Sequence, residues 1–307
     1  MLDVKRLLVL REVARHGSFS RAADALAYTQ PAISRQIALL ERETGATLVK
    51  RGPGGARLTD AGELLVGHAE AVLGRLEDAE AELNELLGMQ AGRLRMSTLT
   101  SAAATIMPLA IAEFRKRLPG IELSVSMIDP SGVLPLLRSG ELDLALCNDP
   151  DLLGVPEIEG VHLFDEPMLL ALPREHRLAR RKRIALSELA DERWMLGTTT
   201  ACPDAERFIR ACHSAGFEPQ IAFHNDDYTA ILGFVAAGVG VAPVPEMVAR
   251  GASRTVHIST LGSGKLTRPI LAALPAGYRP RPAAAMIEIL RQVSDRWTRA
   301  AGELVAA

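Results

Sequence analysis

The sequence predicts an α/β protein: an N-terminal winged helix-turn-helix, a long linking helix and a two-lobed α/β domain. Three observations predict it. A pair of short helices with an apolar inner face lies within residues 20–45. An uninterrupted helical pattern follows from Thr59 to Leu87. From Arg93 onward, strand-like and helix-like segments alternate, the signature of an α/β sheet domain, here expected to be mostly parallel with helices on both faces.

The helix pair carries the most information. Ser20 is a good N-cap residue, and Ala22, Ala23 and Leu26 follow on one face. Ala27 and Tyr28 break the pattern, and Thr29 then opens a second helix with Pro31 in its first turn, where a missing N–H costs nothing. Ile33, Ile37 and Leu40 share one side of that helix, Gln30, Ser34 and Arg35 the other, and Gly45 closes it. Such a unit presents the outward residues of its second helix to base edges in a major groove. Upstream, Asp3 caps a helix running to His16, with Leu7, Leu10 and Val13 inward and Gly17 at its end. Downstream, Leu48 to Thr59 reads as two short strands around Gly52-Pro53-Gly54-Gly55, a wing bearing Lys50, Arg51 and Arg57. Residues 1–60 hold 10 Lys+Arg against 6 Asp+Glu, a balance of +4, whereas the whole chain is −2. Positive charge is concentrated where a polyanion would bind.

These residues resemble the LysR-type bacterial transcriptional regulators. The resemblance rests on Leu7, Leu10, Val13, Gly17-Ser18-Phe19, Ala22-Ala23, Leu26, Gln30-Pro31-Ala32-Ile33-Ser34, Gln36-Ile37, Leu40-Glu41, Gly45, Leu48, Arg51, Leu58-Thr59 and Ala61-Gly62. Length and domain order extend it to the rest of the chain. Leu10 and Val49 stand where the family usually has phenylalanine, Thr29 where serine is common and Thr44 where an aliphatic residue is common. The resemblance implies double-stranded DNA as a partner, with Gln30, Pro31, Ser34 and Arg35 in the major groove. Ser18, Lys50, Arg51 and Arg57 would meet phosphates or the minor groove. It further implies a homodimer or homotetramer, a small-molecule effector, and RNA polymerase as a further candidate partner.

Composition agrees with that class. Hydrophobic residues make up 48% and charged residues 23% of 307, ordinary for two or three globular domains. No apolar run approaches the length of about 18 residues that a membrane span needs. The N-terminus has no basic segment followed by an apolar one. Three cysteines, an odd number, argue against a disulfide framework. Together these predict a cytoplasmic protein.

The domain boundaries read as 1–60 for the DNA reader and 61–92 for the linking helix and hinge, with 93–307 for the effector domain. Leu65, Val72, Leu73, Leu76, Leu83, Leu86 and Leu87 form an apolar stripe on the linking helix, which at about 28 residues would be about 42 Å long. That stripe needs a partner, and the resemblance implies a second copy. Gly88 to Gly92 reads as a hinge. Strands are expected at Leu94–Thr98, Ile121–Ile128, Leu142–Cys147, Pro167–Pro173, Ile221–His224, Val239–Ala242 and Arg268–Leu274. Helices are expected at Ile106–Leu118, Ser131–Ser139, Pro203–Ala215, Tyr228–Ala237 and Arg281–Arg299, with further elements at Ser187–Ala190 and Trp194–Gly197. The resemblance divides this domain into one lobe of 93–162 and 269–307 and another of 163–268, with two strands crossing near Val161–Pro167 and Gly264–Pro269.

In two-lobed α/β proteins a ligand sits at the carboxyl ends of strands, beside helix starts. Four loops qualify, and from them Thr98, Thr100, Ser101, Ser131, Thr199, Thr200, Asn225 and Asp226 are the candidate effector contacts. The same residue types are also ordinary helix caps. The resemblance implies a ligand hydroxyl contact at Ser101 and another near Pro130-Ser131, where Pro130 occupies the second position. No arginine stands in these loops, so an anionic effector is not implied.

Motifs for other chemistry are absent or incomplete. Cys202 and Cys212 lie ten apart, in a region where peroxide-sensing relatives carry a redox pair, so a thiol-based redox-sensing regulator is the alternative on the same scaffold. Gly262-Ser263-Gly264-Lys265 lacks the glycine and hydroxyl residue that a phosphate loop requires at Ser259 and Leu266. There is no G-x-S-x-G elbow, no HExxH pair and no His/Cys set at zinc spacing. No catalytic residue, cofactor or metal is expected. Residues 93–307 alone would also resemble a solute-binding protein, which leaves the first 60 residues unexplained.

Overall fold

A computed structural model describes residues 2–52, 55–86, 92–197, 203–262 and 266–306. The chain forms two compact units, one of Met1–Arg93 with Pro135–Asp143 and the other of Leu94–Leu134 with Leu144–Ala307.

In the first unit, α1 (Val4–His16) starts at Asp3, whose carboxylate accepts from the Lys5 amide, and stops at Gly17 with φ 58°. The next helix, α2 (Phe19–Ala25), begins earlier than the sequence implies: Ser18, not Ser20, is the N-cap and accepts from the Arg21 amide. The sharp turn places Ala27 at φ 53°, a left-handed conformation that costs an L-residue energy but lets the helices cross tightly. Helix α3 (Gln30–Thr44) follows, capped by Thr29 without a side-chain bond and closed by Gly45 at φ 69°. Leu7, Leu10, Val13, Phe19, Ala22, Ile33, Ile37 and Leu40 are all buried in one core. Leu10 and Val49 are buried aliphatic side chains of that core.

The wing is an antiparallel pair, β1 (Val49–Gly52) and β2 (Gly55–Leu58), with Lys50 opposite Arg57. Glu41 ties α3 to it, accepting from the Leu48 and Val49 amides at 2.8 and 3.2 Å. The Ala56 amide donates to the Gly17 carbonyl at 2.9 Å, fastening the wing to the end of α1. The linking helix α4 (Asp60–Leu86) is 27 residues, about 40 Å long. Its start is held by Thr59, whose hydroxyl accepts from the Gly62 amide and donates to the Thr47 carbonyl. Gly62 passes so close to the wing that a Cβ there would lie 2.1 Å from the Leu48 carbonyl oxygen. Gly62→Ala is therefore expected to lower the stability of this unit by about 1–3 kcal/mol through overpacking, measurable by denaturant unfolding. A loss below about 0.5 kcal/mol, the level of a neutral surface change, would show that α4 can shift freely.

Ala69 and Leu73 of α4 are buried, but Leu64, Val72, Leu76 and Leu83 are exposed. The hinge proposed at 88–91 lies outside the described residues, and Gly92 already belongs to a strand. Glu70 of α4 shares a hydrogen bond with Glu141, and burial, reinforced by the Glu141 charge and that bond, pushes its carboxyl up to about 7. The folded chain then keeps a proton that the unfolded chain, with a pKa near 4.5, has lost. The contribution to stability is complete below 4.5 and disappears as pH rises through 7. Thermal unfolding should show wild type losing stability between about pH 5 and pH 8, with a shallower loss in Glu70→Gln. Identical slopes would mean that the two carboxyls do not share a proton.

The second unit continues with β3 (Gly92–Thr98), a short α5 (Thr100–Ala103), α6 (Ile106–Arg117), β4 (Ile121–Met127), α7 (Pro130–Ser139), whose later residues belong to the first unit, and β5 (Leu144–Cys147). A 16-residue strand, β6 (Ile158–Pro173), follows. Then come β7 (Arg183–Ile184), β8 (Arg193–Leu196), α8 (Pro203–Ser214), β9 (Gln220–His224), α9 (Tyr228–Ala236), β10 (Ala242–Pro245), α10 (Glu246–Ala249), β11 (Val256–Leu261), β12 (Thr267–Pro275) and α11 (Arg281–Ala306).

Two lobes share β6. Its first part, Ile158–Pro167, pairs with β12, which pairs with β5, in the sheet β4-β3-β5-β12-β6. Its later part, Met168–Pro173, pairs with β10 on one edge and β11 on the other. Phe114, Met96, Leu94 and Leu290 centre the first lobe's core. In the second lobe Trp194 stacks on Phe208, ring centroids 4.6 Å apart, on one face of the sheet, with Ile231 and Val235 on the other. The pairing corrects two expectations. The expected mostly parallel sheet is mixed: β3–β5, β7–β11 and β8–β9 are parallel, while every pairing of β6 is antiparallel. The strand expected at Val239–Ala242 begins at Ala242, because the turn after α9 falls at Ala237–Gly238, with Gly238 at φ 77°, and Gly240 then passes so close to β8 that a Cβ there would lie 2.3 Å from the Arg193 carbonyl oxygen.

Candidate functional site

Two sites are built, one in each unit. In the first, α3 exposes Pro31 and Arg35 and half-exposes Gln30 and Ser34, while its opposite side is sealed in the core. The buried stripe fixes the rotation of α3, and that rotation turns the first-turn residues outward. Lys50 and Arg57 are exposed cross-strand neighbours on the wing. The Arg51 side chain lies outside the described residues. Ser18 departs from expectation in one respect: its hydroxyl is the α2 cap.

In the second unit, a cavity of about 130 Å³ opens where β3, β4, β5, β8 and β9 end. Of the residues singled out in the sequence, it brings together Thr98, Thr100, Ser101, Asn225 and Asp226. Ser131 does not line it. Pro130 does, because α7 starts one residue earlier than expected and turns Pro130 to the cleft. Thr199 and Thr200 lie outside the described residues.

Sequence reasoning missed the centre of this cleft. Arg268, on β12, is buried, and its Nη1 donates to Asp204 Oδ2 at 2.6 Å. Its Nε and Nη2 donate to Glu166 Oε2 at 2.8 and 2.7 Å, and Nη2 also donates to Ser101 Oγ at 2.6 Å. Glu166, on β6, spends its other oxygen on the Met247 amide at 2.6 Å. Arg207 of α8 donates to Asp204 Oδ1 and to the Asn148 carbonyl, both at 3.0 Å. One cluster thus ties β6 and β12 to α5 of the first lobe and α8 of the second. Burial alone would lower the Arg268 pKa, but Asp204 and then Glu166 outweigh it, so the guanidinium stays charged. Burial pushes the Glu166 carboxyl up, and Arg268 and the Met247 N–H oppose that rise. No local motif flags these residues, since their partners are far apart in sequence. An arginine at the head of an otherwise apolar predicted strand was the available signal.

The thiol alternative finds little support in the surroundings of Cys212. The residue is fully buried beneath Trp194 and Phe208, and burial, with the Glu218 charge adding, pushes its thiol up to about 12. A neutral buried thiol is a poor nucleophile. Cys202 lies outside the described residues.

Comparison with known proteins identifies the family of both units. A family model described as "LysR substrate binding domain" matches residues 88–295. A second, "Bacterial regulatory helix-turn-helix protein, lysR family", matches residues 4–63. The chain is 32% identical over 298 residues to the probable HTH-type transcriptional regulator LrrA of Synechococcus elongatus, covering 95% of this chain and 98% of that one. It is 31% identical to the transcriptional dual regulator GltC of Bacillus subtilis over 80% of this chain and 81% of that one. Full-length CbnR complexed with its target DNA has the same fold, with a TM-score of 0.70 at 24% identity, over 95% of this chain and 100% of that one. So does a full-length OxyR variant from Pseudomonas aeruginosa, with a TM-score of 0.74 at 22% identity, over 96% of this chain and 95% of that one. With a reader helix exposed beside a basic wing and both family models matched in order, the chain belongs to the LysR family and is a DNA-binding transcriptional regulator.

Proposed function

We propose that a small molecule bound in the cleft of the second unit gates the regulator's binding to DNA. The observation that carries this reading is the cavity itself, lined from both lobes at the carboxyl ends of five strands, with Arg268 of β12 among its lining residues. In this reading Gln30, Ser34 and Arg35 read base edges, with Pro31 packed against them. Ser18, Lys50, Arg51 and Arg57 hold phosphates. The exposed Leu64, Val72, Leu76 and Leu83 of α4 meet a second copy. A ligand that favours one arrangement of the lobes shifts the population of that arrangement, and only its differential affinity does so. Such a protein works where the chromosome is, in the cytoplasm, and none of the described helices is long and apolar enough to cross a membrane. The expected oligomer is a homodimer or homotetramer.

The test is fluorescence anisotropy of the purified chain on DNA upstream of its own gene and on scrambled DNA of equal length, over a salt series. Preference for the upstream fragment with a steep negative salt slope supports the reading. Absence of binding at low salt would sink it. Titration of free thiols before and after mild peroxide, with unchanged DNA affinity, separates it from a redox switch.

A further inference from the structure

The charge of the cleft is at odds with an anionic ligand. Among the described lining residues, Asp129, Asp204 and Asp226 stand against one cation, Arg268, a formal balance of −2. Behind the lining, Glu166 and Arg207 cancel. The arginine is already spoken for: Glu166 takes two of its N–H groups, Asp204 a third and Ser101 a fourth. A carboxylate ligand would have to displace Asp204 from a buried pair.

Three of the helix starts beside the cleft, which usually attract anions, already have a carboxylate of the chain at or next to them. Asp204 already sits in the first turn of α8. Asp227 caps α9, accepting from the Thr229 amide at 2.7 Å. Asp129 directly precedes α7. One further group points to the opposite class of ligand. Asn148 lines the cavity and is 3% exposed, and its Oδ1 has no hydrogen-bond partner among the described residues. A buried acceptor left unsatisfied costs about 1–3 kcal/mol, which a donor on a ligand would recover. Leu99, Met127 and Tyr228 supply apolar wall around it.

Resting on the gating role proposed for this cleft, we infer that its effector is a small organic cation, an amine or amidine with a short apolar body. The ammonium donates to Asn148 Oδ1. Asp129 from the first lobe and Asp226 from the second line the same cavity and add negative potential on either side of that positive charge. The cavity, at about 130 Å³, is well below the roughly 300–1,000 Å³ of sites for drug-sized molecules, so the body is short.

The experiment is isothermal titration of the full chain with three molecules of one shape, phenethylamine, 2-phenylethanol and 3-phenylpropionate, and with the pair putrescine and succinate. The amines are expected to bind at least about 10-fold tighter than the carboxylates of like shape. Asp129→Asn and Asp226→Asn, at exposed positions that leave folding intact, should each weaken amine binding about 3-fold and together about 10-fold, the scale of exposed ion pairs. Asn148→Leu should abolish it. Carboxylates that bind while amines do not would overturn the cation and leave the gated cleft standing. Phenylethanol binding as tightly as phenethylamine would overturn the role of charge. Binding by none of the five would overturn both readings.

Discussion

Arg268→Met is expected to destabilise the second unit by about 3–5 kcal/mol, because it leaves the Glu166 and Asp204 carboxylates buried without their shared counter-ion. The two carboxylates are not equally exposed to the loss. Asp204 retains Arg207 at 3.0 Å, whereas Glu166 keeps only the Met247 amide. Adding Glu166→Leu to Arg268→Met should therefore restore much of the stability, since replacing a buried ion pair with apolar groups of similar volume is often neutral. Denaturant unfolding of the full chain, followed through the fluorescence of Trp194 and Trp297, both in the second unit, reads both variants. A single variant within about 1 kcal/mol of wild type, or a double variant no better than the single, would show that the cluster is not a closed ion network. Neither substitution touches α3, so DNA affinity measured beside unfolding separates loss of stability from loss of the DNA reader.

Gln30→Ala is expected to cost about 1–3 kcal/mol on the cognate site, a roughly 5- to 150-fold loss, with almost no change on scrambled DNA. An amide at this position can bond an adenine edge at two points, and such a pair discriminates against other bases. Lys50→Ala should behave differently, weakening all duplexes alike and lowering the magnitude of the salt slope by about 1, as expected if the exposed ammonium on β1 meets phosphates as proposed. Anisotropy over a salt series separates the two. A uniform loss in Gln30→Ala would mean that α3 is not seated as proposed, and an unchanged slope in Lys50→Ala would remove the wing from the phosphates.

The DNA reader was legible almost residue by residue, because its determinants are local. Helix period, Gly17 and Gly45 at positive φ, and a two-strand wing are all encoded within a few residues of where they act. The one slip, Ser20 for Ser18 as the α2 cap, arose because two serines flank one aromatic residue and either can cap. The cleft was legible only in its rim. Thr98, Ser101, Asn225 and Asp226 announce themselves as polar residues at helix starts. Arg268, Glu166 and Asp204 do not, because a pairing such as Arg268 with Glu166 is set by the β6–β12 register and carries no spacing signal. The short α10 and strand β11 were missed for a related reason: each is stabilised by packing on β6 rather than by its own periodicity.

The continuity of β6 also orders the events of synthesis. The second lobe's sheet is complete once β11 has been made, since β6, β7, β10 and β11 all precede residue 262. The first lobe begins earlier along the chain, yet its sheet lacks the central strand β12 and its core lacks Met286, Ile287 and Leu290 until the last stretch emerges. Closing Ile158 onto Pro275 spans the whole second lobe, a contact of high sequence separation and therefore slow to form. The lobe that leaves the ribosome first is thus the last to become native, and truncation at the C-terminus strands it with an open sheet edge.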